Sequence, residues 1–243
     1  MSRGKRVKAK APVLLTDRRI RRISIAEAGE RLLDLREQSD LLVDNRKRGE
    51  NGVFACVREG VAERLLAAQA HLPNEIWLMV VEGLRPLTLQ SEYFARYCLE
   101  LEAGHPKWSA ARVRQEASKY VAPPDIVPPH TTGGAVDVTL AGFDGAEIDM
   151  GTPVNASPEE TLGACFTNTA AISDGAQASR GVLIGAMTAV GFINYPTEWW
   201  HWFFFAQPDK PERAIMADPV AWYSSTVEQM GAEAFEDYTA AIS

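Results

Sequence analysis

The segment 121–134, with the sequence VAPPDIVPPHTTGG, constrains the fold more than any other part of the chain. It holds four prolines and two glycines. Proline fixes its own backbone angle and lacks an amide hydrogen, so this segment is predicted to form an extended loop of fairly fixed shape. The next residues, Ala135–Leu140, alternate in the manner of a β-strand. The rigid loop thus presents His130, and the strand that follows it presents Asp137.

The segments around this loop predict both helices and strands. Apolar residues at helical spacing predict helices over 56–72, from Thr88 to Gly104, and from Ser173 or Asp174 to Val190. A further, polar helix is predicted around Trp108 to Tyr120. Apolar runs predict buried strands at Ile76–Val81 and Trp199–Phe205. Residues 142–168 are predicted to be a loop, and the chain beyond Pro219 is predicted to be helical. Because helices and strands do not alternate regularly, we expect an α+β fold with a small, mainly antiparallel sheet and flanking helices.

Charge is distributed unevenly along the 243 residues. The net charge is −7, yet residues 1–22 carry nine Lys or Arg against one Asp, so the remainder carries −15. An acidic body argues against nucleic acid as the main partner, since binding phosphates requires basic residues on the folded domain. We expect residues 1–12 to be a basic flexible tail and residues 13–243 to form a single domain.

Membrane and disulfide signals are weak. No stretch approaches the ~20 apolar residues that cross a bilayer, and the run Val13–Leu15 is too short for a signal-peptide core. We therefore expect a cytoplasmic protein without a membrane span. Cys56, Cys98 and Cys165 are odd in number and widely spaced, so they are predicted to be small buried side chains rather than disulfides or a paired-cysteine zinc site.

Two of the four histidines stand in unusual surroundings. His71 and His105 lie at predicted helix ends and are expected to be surface or capping residues. His130 and His201, by contrast, combine with Asp137 into a set that suits zinc. Two imidazoles and one carboxylate leave a fourth tetrahedral position for water.

Glu198 lies three residues before His201 and is the candidate general base. In such a site the metal lowers the pKa of its water and polarises a substrate carbonyl, while the carboxylate passes a proton to the leaving amine. Spacing alone leaves plainer interpretations open: a hydrogen-bonded loop histidine, and an aspartate that caps a neighbouring loop.

Four short motifs together resemble the D-alanyl-D-alanine dipeptidases. The residues from His130 to Asp137 match H-x-x-G-x-A-x-D, and Glu198-Trp-Trp-His201 matches E-W-W-H. Two further segments, 82–86 (EGLRP) and 149–152 (DMGT), look like the family's G-Y-R-P segment and M-G turn. The similarity extends from about residue 13 to about residue 222.

This resemblance implies a zinc metallopeptidase with the fold shared by bacterial D,D-carboxypeptidases and the hedgehog signalling domain. It implies one Zn²⁺ per chain, held by His130, Asp137 and His201, with Glu198 as general base. It also implies that Arg85 stabilises the tetrahedral intermediate, because a fixed guanidinium can donate two hydrogen bonds to a developing oxyanion. A structural salt bridge is the alternative role for Arg85.

Two positions depart from the family pattern at the expected substrate contacts. Pro128 stands where the family has a serine that contacts the substrate carboxylate, and Asn155 stands where it has an aspartate that binds the free ammonium group. We therefore expect zinc-dependent hydrolysis of a short peptide, with a dipeptide containing D-amino acids, such as D-alanyl-D-alanine from peptidoglycan metabolism, as first choice. The alternatives are a carboxypeptidase or amidase acting on an N-blocked small substrate, and a zinc-containing binding module without turnover. Retention of Glu198 and Arg85 speaks against the module.

Overall fold

The computed structural model describes residues 29–49 and 52–204. The basic tail predicted at 1–12 and the helix predicted beyond Pro219 lie outside the described residues. Within the described part, no helix is both long and apolar enough to cross a membrane.

Among the described residues, seven short strands form two sheets. They are β1 (Leu32–Asp34), β2 (Leu42–Val43), β3 (Cys56–Arg58), β4 (Ile76–Glu82), β5 (Ala135–Gly142), β6 (Ile193–Asn194) and β7 (His201–Phe203). The main sheet has the order β2-β4-β5-β7-β6, in which only the β2–β4 pair is parallel. Strands β1 and β3 form a separate antiparallel pair.

In residues 29–49 and 52–204, five helices flank the sheets. They are α1 (Glu59–Ala70), α2 (Leu87–Gly104), α3 (Ala110–Ala117), α4 (Pro158–Thr161) and α5 (Asp174–Ala189). Helices α1 and α5 pack against each other, and α1 contacts β4 while α5 contacts β5. Helices α2 and α3 share a second apolar cluster. The predicted α+β fold with a small, mainly antiparallel sheet is confirmed.

The core explains why β4 and β5 are the longest strands. Leu78 and Val80 of β4, and Val138 and Leu140 of β5, are fully buried. Burying such side chains contributes roughly 1.5–3 kcal/mol each relative to leaving them exposed. Strands β4 and β5 therefore form a well-packed centre of the sheet, and the polar residues described below lie at one end of this strand pair.

Several predicted boundaries were wrong. Residues 56–58 form β3 instead of the first helical turn, because they pair with Leu32–Asp34. Helix α2 begins at Leu87 after Pro86, so Thr88 is not its cap. In the predicted strand Trp199–Phe205, Trp199 and Trp200 form a turn and His201–Phe203 pair with β5, while Phe205 lies outside the described residues.

Two other expectations also need correction. Only Cys165 is buried, whereas Cys56 and Cys98 are partly exposed. The predicted loop 142–168 contains helix α4, whose start is fixed by a reciprocal capping box between Ser157 and Glu160. A serine followed by glutamate three residues later is a sequence signal for a helix start.

Candidate metal and catalytic site

The register of the main sheet places three polar residues in one row. Asp137 of β5 is paired with His201 of β7 on one side and with Glu82 of β4 on the other. Directly paired residues point to the same face of a sheet. An irregularity between Val80 and Glu82 shifts the register of β4. Such bulges re-aim side chains, and here the shift brings Glu82 level with Asp137.

His130 reaches this row from the proline-rich loop. It lies in a 3-10 turn, Pro129–Thr132, and its Nδ1 is 2.7 Å from the carbonyl oxygen of Gly83. Gly83, the residue after β4, packs so closely against β3 that a Cβ there would collide with the backbone oxygen of Cys56 and lie 2.8 Å from Cγ1 of Val57. Since the carbonyl accepts a hydrogen bond, Nδ1 carries the proton and Nε2 presents its lone pair.

Three ligand atoms from His130, Asp137 and His201 converge. Nε2 of His130 lies 3.0 Å from Nδ1 of His201 and 3.3 Å from Oδ1 of Asp137, and the last two atoms are 3.0 Å apart. The ligand atoms of a tetrahedral zinc site, with bonds of about 2.0–2.1 Å, lie about 3.3 Å from one another. All three residues are buried. In both donor type and spacing, this cluster fits zinc.

Charge within the cluster favours an ionised carboxylate. Burial alone would raise the pKa of Asp137, but His130 and His201 together hold it below its usual value. The far nitrogen of His201, Nε2, is buried without a hydrogen-bond partner among the described residues. The ring of Tyr195 packs edge-on against His201, with 5.9 Å between ring centroids, and limits its rotation.

Arg85 is fixed next to this cluster by a buried ion pair. Its Nε and Nη2 donate to the two carboxylate oxygens of Glu82 at 2.8 and 2.6 Å, and Nη1 donates to Oε1 of Gln90 at 2.9 Å. Nη2 also lies 3.9 Å from Oδ2 of Asp137. Burial would lower the pKa of Arg85, but the Glu82 carboxylate raises it above its usual value. Arg85 therefore makes the salt bridge that was the alternative prediction, and it also lines the cavity described next.

A cavity of about 310 Å³ opens onto the cluster. Arg85, His130, Asp137, Glu198 and His201 all line it. Side chains at the ends of β4, β5 and β7 and of the proline-rich loop thus meet in one space, although they come from segments far apart in the sequence.

Glu198 lies in the turn before β7. Its backbone N–H donates to the carbonyl of Tyr195, and its own carbonyl accepts from the N–H of His201. Its side chain is partly open to the cavity but otherwise surrounded by protein, and this burial raises its pKa to about 7. The carboxylate has no hydrogen-bond partner among the described residues, so it is available to a molecule in the cavity.

The two predicted substrate contacts differ in position. Asn155 lines the cavity, in a left-handed backbone conformation with φ of 64°. Pro128 is buried and does not line it, whereas the next residue, Pro129, does. His71 and His105 lie at the ends of α1 and α2, outside the cavity, and the ring of His105 stacks on Trp108.

Sequence reasoning missed several cavity residues. Gln90 accepts a hydrogen bond from Arg85. The ring of Tyr93 packs against the guanidinium, with 4.9 Å between the ring centroid and Cζ of Arg85. Lys47 enters the cavity wall from the loop after β2. The helical spacing that identified α2 does not show which of its faces lines a site, and the loop holding Lys47 carries no motif.

The fold and this cluster define a class of protein, the metallopeptidases, and the comparisons narrow it. The family model described as D-ala-D-ala dipeptidase, of peptidase family M15, matches residues 43–225. The chain therefore belongs to this family and is a zinc metallopeptidase.

Two characterised relatives carry the same description. The D-alanyl-D-alanine dipeptidase of Synechocystis sp. is 29% identical over 175 residues, which cover 63% of this chain and 70% of the relative. The D-alanyl-D-alanine dipeptidase of Escherichia coli K12 is 28% identical over 107 residues, which cover 44% of this chain and 52% of the relative.

Two solved structures are similar to this chain. A variant of the D,D-pentapeptidase VanY in complex with Zn(II) aligns with a TM-score of 0.40 at 18% identity, covering 69% of this chain and 80% of that one. VanYB in complex with D-alanine-D-alanine aligns with the same TM-score and identity, covering 75% and 84%.

Proposed function

We propose that this protein hydrolyses a short peptide at one zinc ion per chain, held by His130, Asp137 and His201, with Glu198 as general base. The observation that carries the proposal is the convergence of three metal-binding atoms with Glu198 and Arg85 on one cavity. When bound, zinc supplies Lewis acidity toward a substrate carbonyl and lowers the pKa of water. The hydrogen bond from His130 to Gly83 keeps the lone pair of Nε2 turned toward the metal position.

Glu198 moves the proton in this proposal. Its carboxylate faces the cavity without a hydrogen-bond partner among the described residues, so it can accept a proton from attacking water and deliver it to the departing amine. The backbone bonds of Glu198 to Tyr195 and His201 hold it beside the metal ligands.

Arg85 stabilises negative charge on the reacting carbonyl oxygen. A guanidinium carries five N–H groups, of which Glu82 and Gln90 occupy three. One N–H on each terminal nitrogen remains without a hydrogen-bond partner among the described residues. Because Glu82 fixes the guanidinium beforehand, these donors can meet the developing oxyanion without reorganising.

A dipeptide containing D-amino acids, such as D-alanyl-D-alanine, is the first substrate we propose. The relatives described as D-alanyl-D-alanine dipeptidases support this choice. The cavity, of about 310 Å³, lies at the small end of the range of ~300–1,000 Å³ for ligand pockets, which suits a substrate of two residues.

Asn155 favours a second candidate, a carboxypeptidase or amidase that acts on an N-blocked substrate. Its side chain lines the cavity, where it offers a neutral acceptor instead of a carboxylate. A charge-assisted hydrogen bond contributes ~1.5–3 kcal/mol, so its loss weakens selection for a free ammonium group. The non-catalytic module gains no support, because a zinc ion used only to stabilise the fold needs neither Glu198 nor Arg85.

A substrate panel tests the proposal. The zinc-loaded protein would be incubated with D,D-, L,D- and L,L-dipeptides and their N-acetylated forms, and released amino acid would be measured. Hydrolysis of at least one D,D compound is expected, whereas no release from any compound would contradict the peptidase assignment.

The Asn155→Asp variant separates the two substrate classes. It is expected to raise kcat/KM for D-alanyl-D-alanine relative to N-acetyl-D-alanyl-D-alanine, since it restores a carboxylate for the free ammonium group. If the natural protein already prefers the unblocked dipeptide, or if Asn155→Asp leaves the ratio unchanged, Asn155 does not select against a free amino terminus.

A further inference from the structure

Lys47 is a cation in the cavity wall that the proposed reaction does not use. It lies in the loop after β2, and its side chain is 20% exposed. Its ammonium nitrogen is 5.0 Å from the ring centroid of Tyr93, which also lines the cavity. An aromatic face attracts an ammonium group, and this contact restricts the long side chain. Lys47 is thus positioned in the cavity, unlike a lysine extended into solvent.

The positive charge of Lys47 is only partly compensated. Among the described residues its ion-pair partner is Glu82, at 3.7 Å from the ammonium nitrogen to Oε2. The same oxygen accepts a hydrogen bond of 2.6 Å from Arg85. One buried carboxylate therefore serves two cations and is bonded more closely to Arg85. The group of Lys47, Glu82 and Arg85 carries a net charge of about +1, and the next carboxylate, that of Asp137, is bonded to the two histidines of the candidate metal site. The net positive charge attracts an anion.

Arg96 is the competing cation on this wall. Its central carbon also lies over the Tyr93 ring, 4.9 Å from the centroid, but it differs from Lys47 in two respects: its side chain is 67% exposed, and it has its own carboxylate, Glu100, at 3.9 Å. Exposed charges are screened by salt and water. Lys47 is the better placed of the two to bind a ligand anion.

The anion is expected close to the reacting carbonyl. Lys47 contacts Glu82, Glu82 contacts Arg85, and Arg85 lies 3.9 Å from the metal-binding residue Asp137. In a short peptide that is cleaved before its last residue, the terminal carboxylate lies one residue from the scissile bond. Pro128, the position of the family's serine contact, does not line the cavity.

We propose that Lys47 binds the C-terminal carboxylate of the substrate, with Tyr93 supporting its side chain. The inference rests on the proposed function for the position of the scissile bond. It predicts that the protein selects peptides with a free carboxylate next to the cleaved bond. A hydrogen bond to a charged group corresponds to roughly a 10- to 100-fold change in affinity, and we expect that loss when the ammonium group is removed.

Calorimetric titration of the zinc-loaded Glu198→Gln protein, which binds without turnover, measures this selection directly. The probes are N-acetyl-D-alanyl-D-alanine, its C-terminal amide, and N-acetyl-D-alanyl-D-aspartic acid α-amide, whose only carboxylate is on the side chain. We expect the first probe to bind at least ten times more tightly than the other two.

Lys47→Met, added to this protein, should abolish the preference by weakening the first probe alone. The matched control is Arg48→Met, which removes one positive charge from an exposed side chain of the same loop and should preserve the preference. Equal effects of the two substitutions would show a general charge effect and overturn the proposal. A preference that survives Lys47→Met, or no binding of the first probe, would also overturn it.

The remaining outcomes separate the two proposals. Dependence on Lys47 only for the aspartyl probe would assign the bound carboxylate to a side chain and contradict the C-terminal assignment. If the Lys47-dependent preference is found but the wild-type protein hydrolyses none of the panel, the carboxylate site stands and the peptidase proposal fails. If the wild-type protein hydrolyses a D,D compound but its preference for the free carboxylate does not depend on Lys47, the peptidase proposal stands and the Lys47 proposal fails.

Discussion

Replacing Glu82 with glutamine removes one negative charge from the most buried part of the site while preserving the shape of the side chain. Glu82 is 1% exposed and accepts two hydrogen bonds from Arg85, of 2.8 and 2.6 Å. A glutamine can accept one of them through its oxygen, but its amide group turns donors toward the other guanidinium N–H. Arg85 and Lys47 are then left without their shared carboxylate.

The expected cost follows from the burial of the pair. Breaking a buried ion pair by removing one partner costs about 3–5 kcal/mol, because it leaves an uncompensated charge. Arg85 is only 8% exposed, so water compensates little of this cost. We therefore expect Glu82→Gln to lower the free energy of unfolding by about 3 kcal/mol. Replacing both partners, as in Glu82→Leu with Arg85→Met, should be less destabilising than the sum of the two single substitutions.

Urea unfolding followed by tryptophan fluorescence tests this expectation, with the m-value checked for each variant. The comparison requires the wild type, Glu82→Leu, Arg85→Met, their double variant and Glu82→Gln. The reasoning is refuted if Glu82→Gln costs less than about 1 kcal/mol, or if the effects of the single substitutions add without coupling. Either result would mean that the cavity hydrates Arg85 well enough to make the ion pair dispensable.

Two further predictions concern the proposed general base and a surface ion pair. Glu198→Gln should keep the bound metal and the fold but lower kcat by ~10²–10⁴-fold, because an amide cannot accept the proton. Steady-state kinetics together with metal analysis test this prediction. An unchanged kcat would contradict it. Asp44 is bonded by Arg46 at 2.8 Å, and this bond holds its pKa below the ordinary value of 3.8. The stabilisation is therefore complete above pH ~5 and is lost as the pH falls through the lowered pKa. Unfolding free energies between pH 6 and 2.5 should fall by ~0.5–1 kcal/mol more in the wild type than in Asp44→Asn, and parallel curves would contradict this.

The parts of the fold that could be predicted from sequence are those with a local cause. Strand β4 is a continuous apolar run, and α2 and α5 show helical spacing, so each appears where the pattern predicts it. Strands β1, β2 and β6 are two or three residues long. Such segments are too short for periodicity to register, and they form strands only because a partner satisfies their backbone hydrogen bonds.

The candidate site divides in the same way. His130, Asp137, Glu198 and His201 lie in short motifs whose residue types suit zinc chemistry, and the structure brings them to one cavity. Lys47 reaches that cavity only because β2 pairs in parallel with β4. That pairing depends on the whole sheet, and no local pattern indicates it.

Residues with two roles were also only partly predictable. Sequence reasoning treated a salt bridge and a catalytic contact as alternatives for Arg85. In the structure, the guanidinium uses three N–H groups for Glu82 and Gln90 and still lines the cavity. Which N–H groups remain available is set by the bulge in β4 and by the face of α2, and both depend on tertiary packing.

Metal content measured by elemental analysis, after zinc loading and dialysis, tests the central claim most directly. The wild type should retain one zinc per chain, and His201→Ala should lose most of it, since an open site with three protein ligands depends strongly on each. His71→Ala, which removes an exposed histidine at the end of α1, is the matched control and should retain one zinc. Full zinc occupancy in His201→Ala, or a wild type that retains none, would contradict the account.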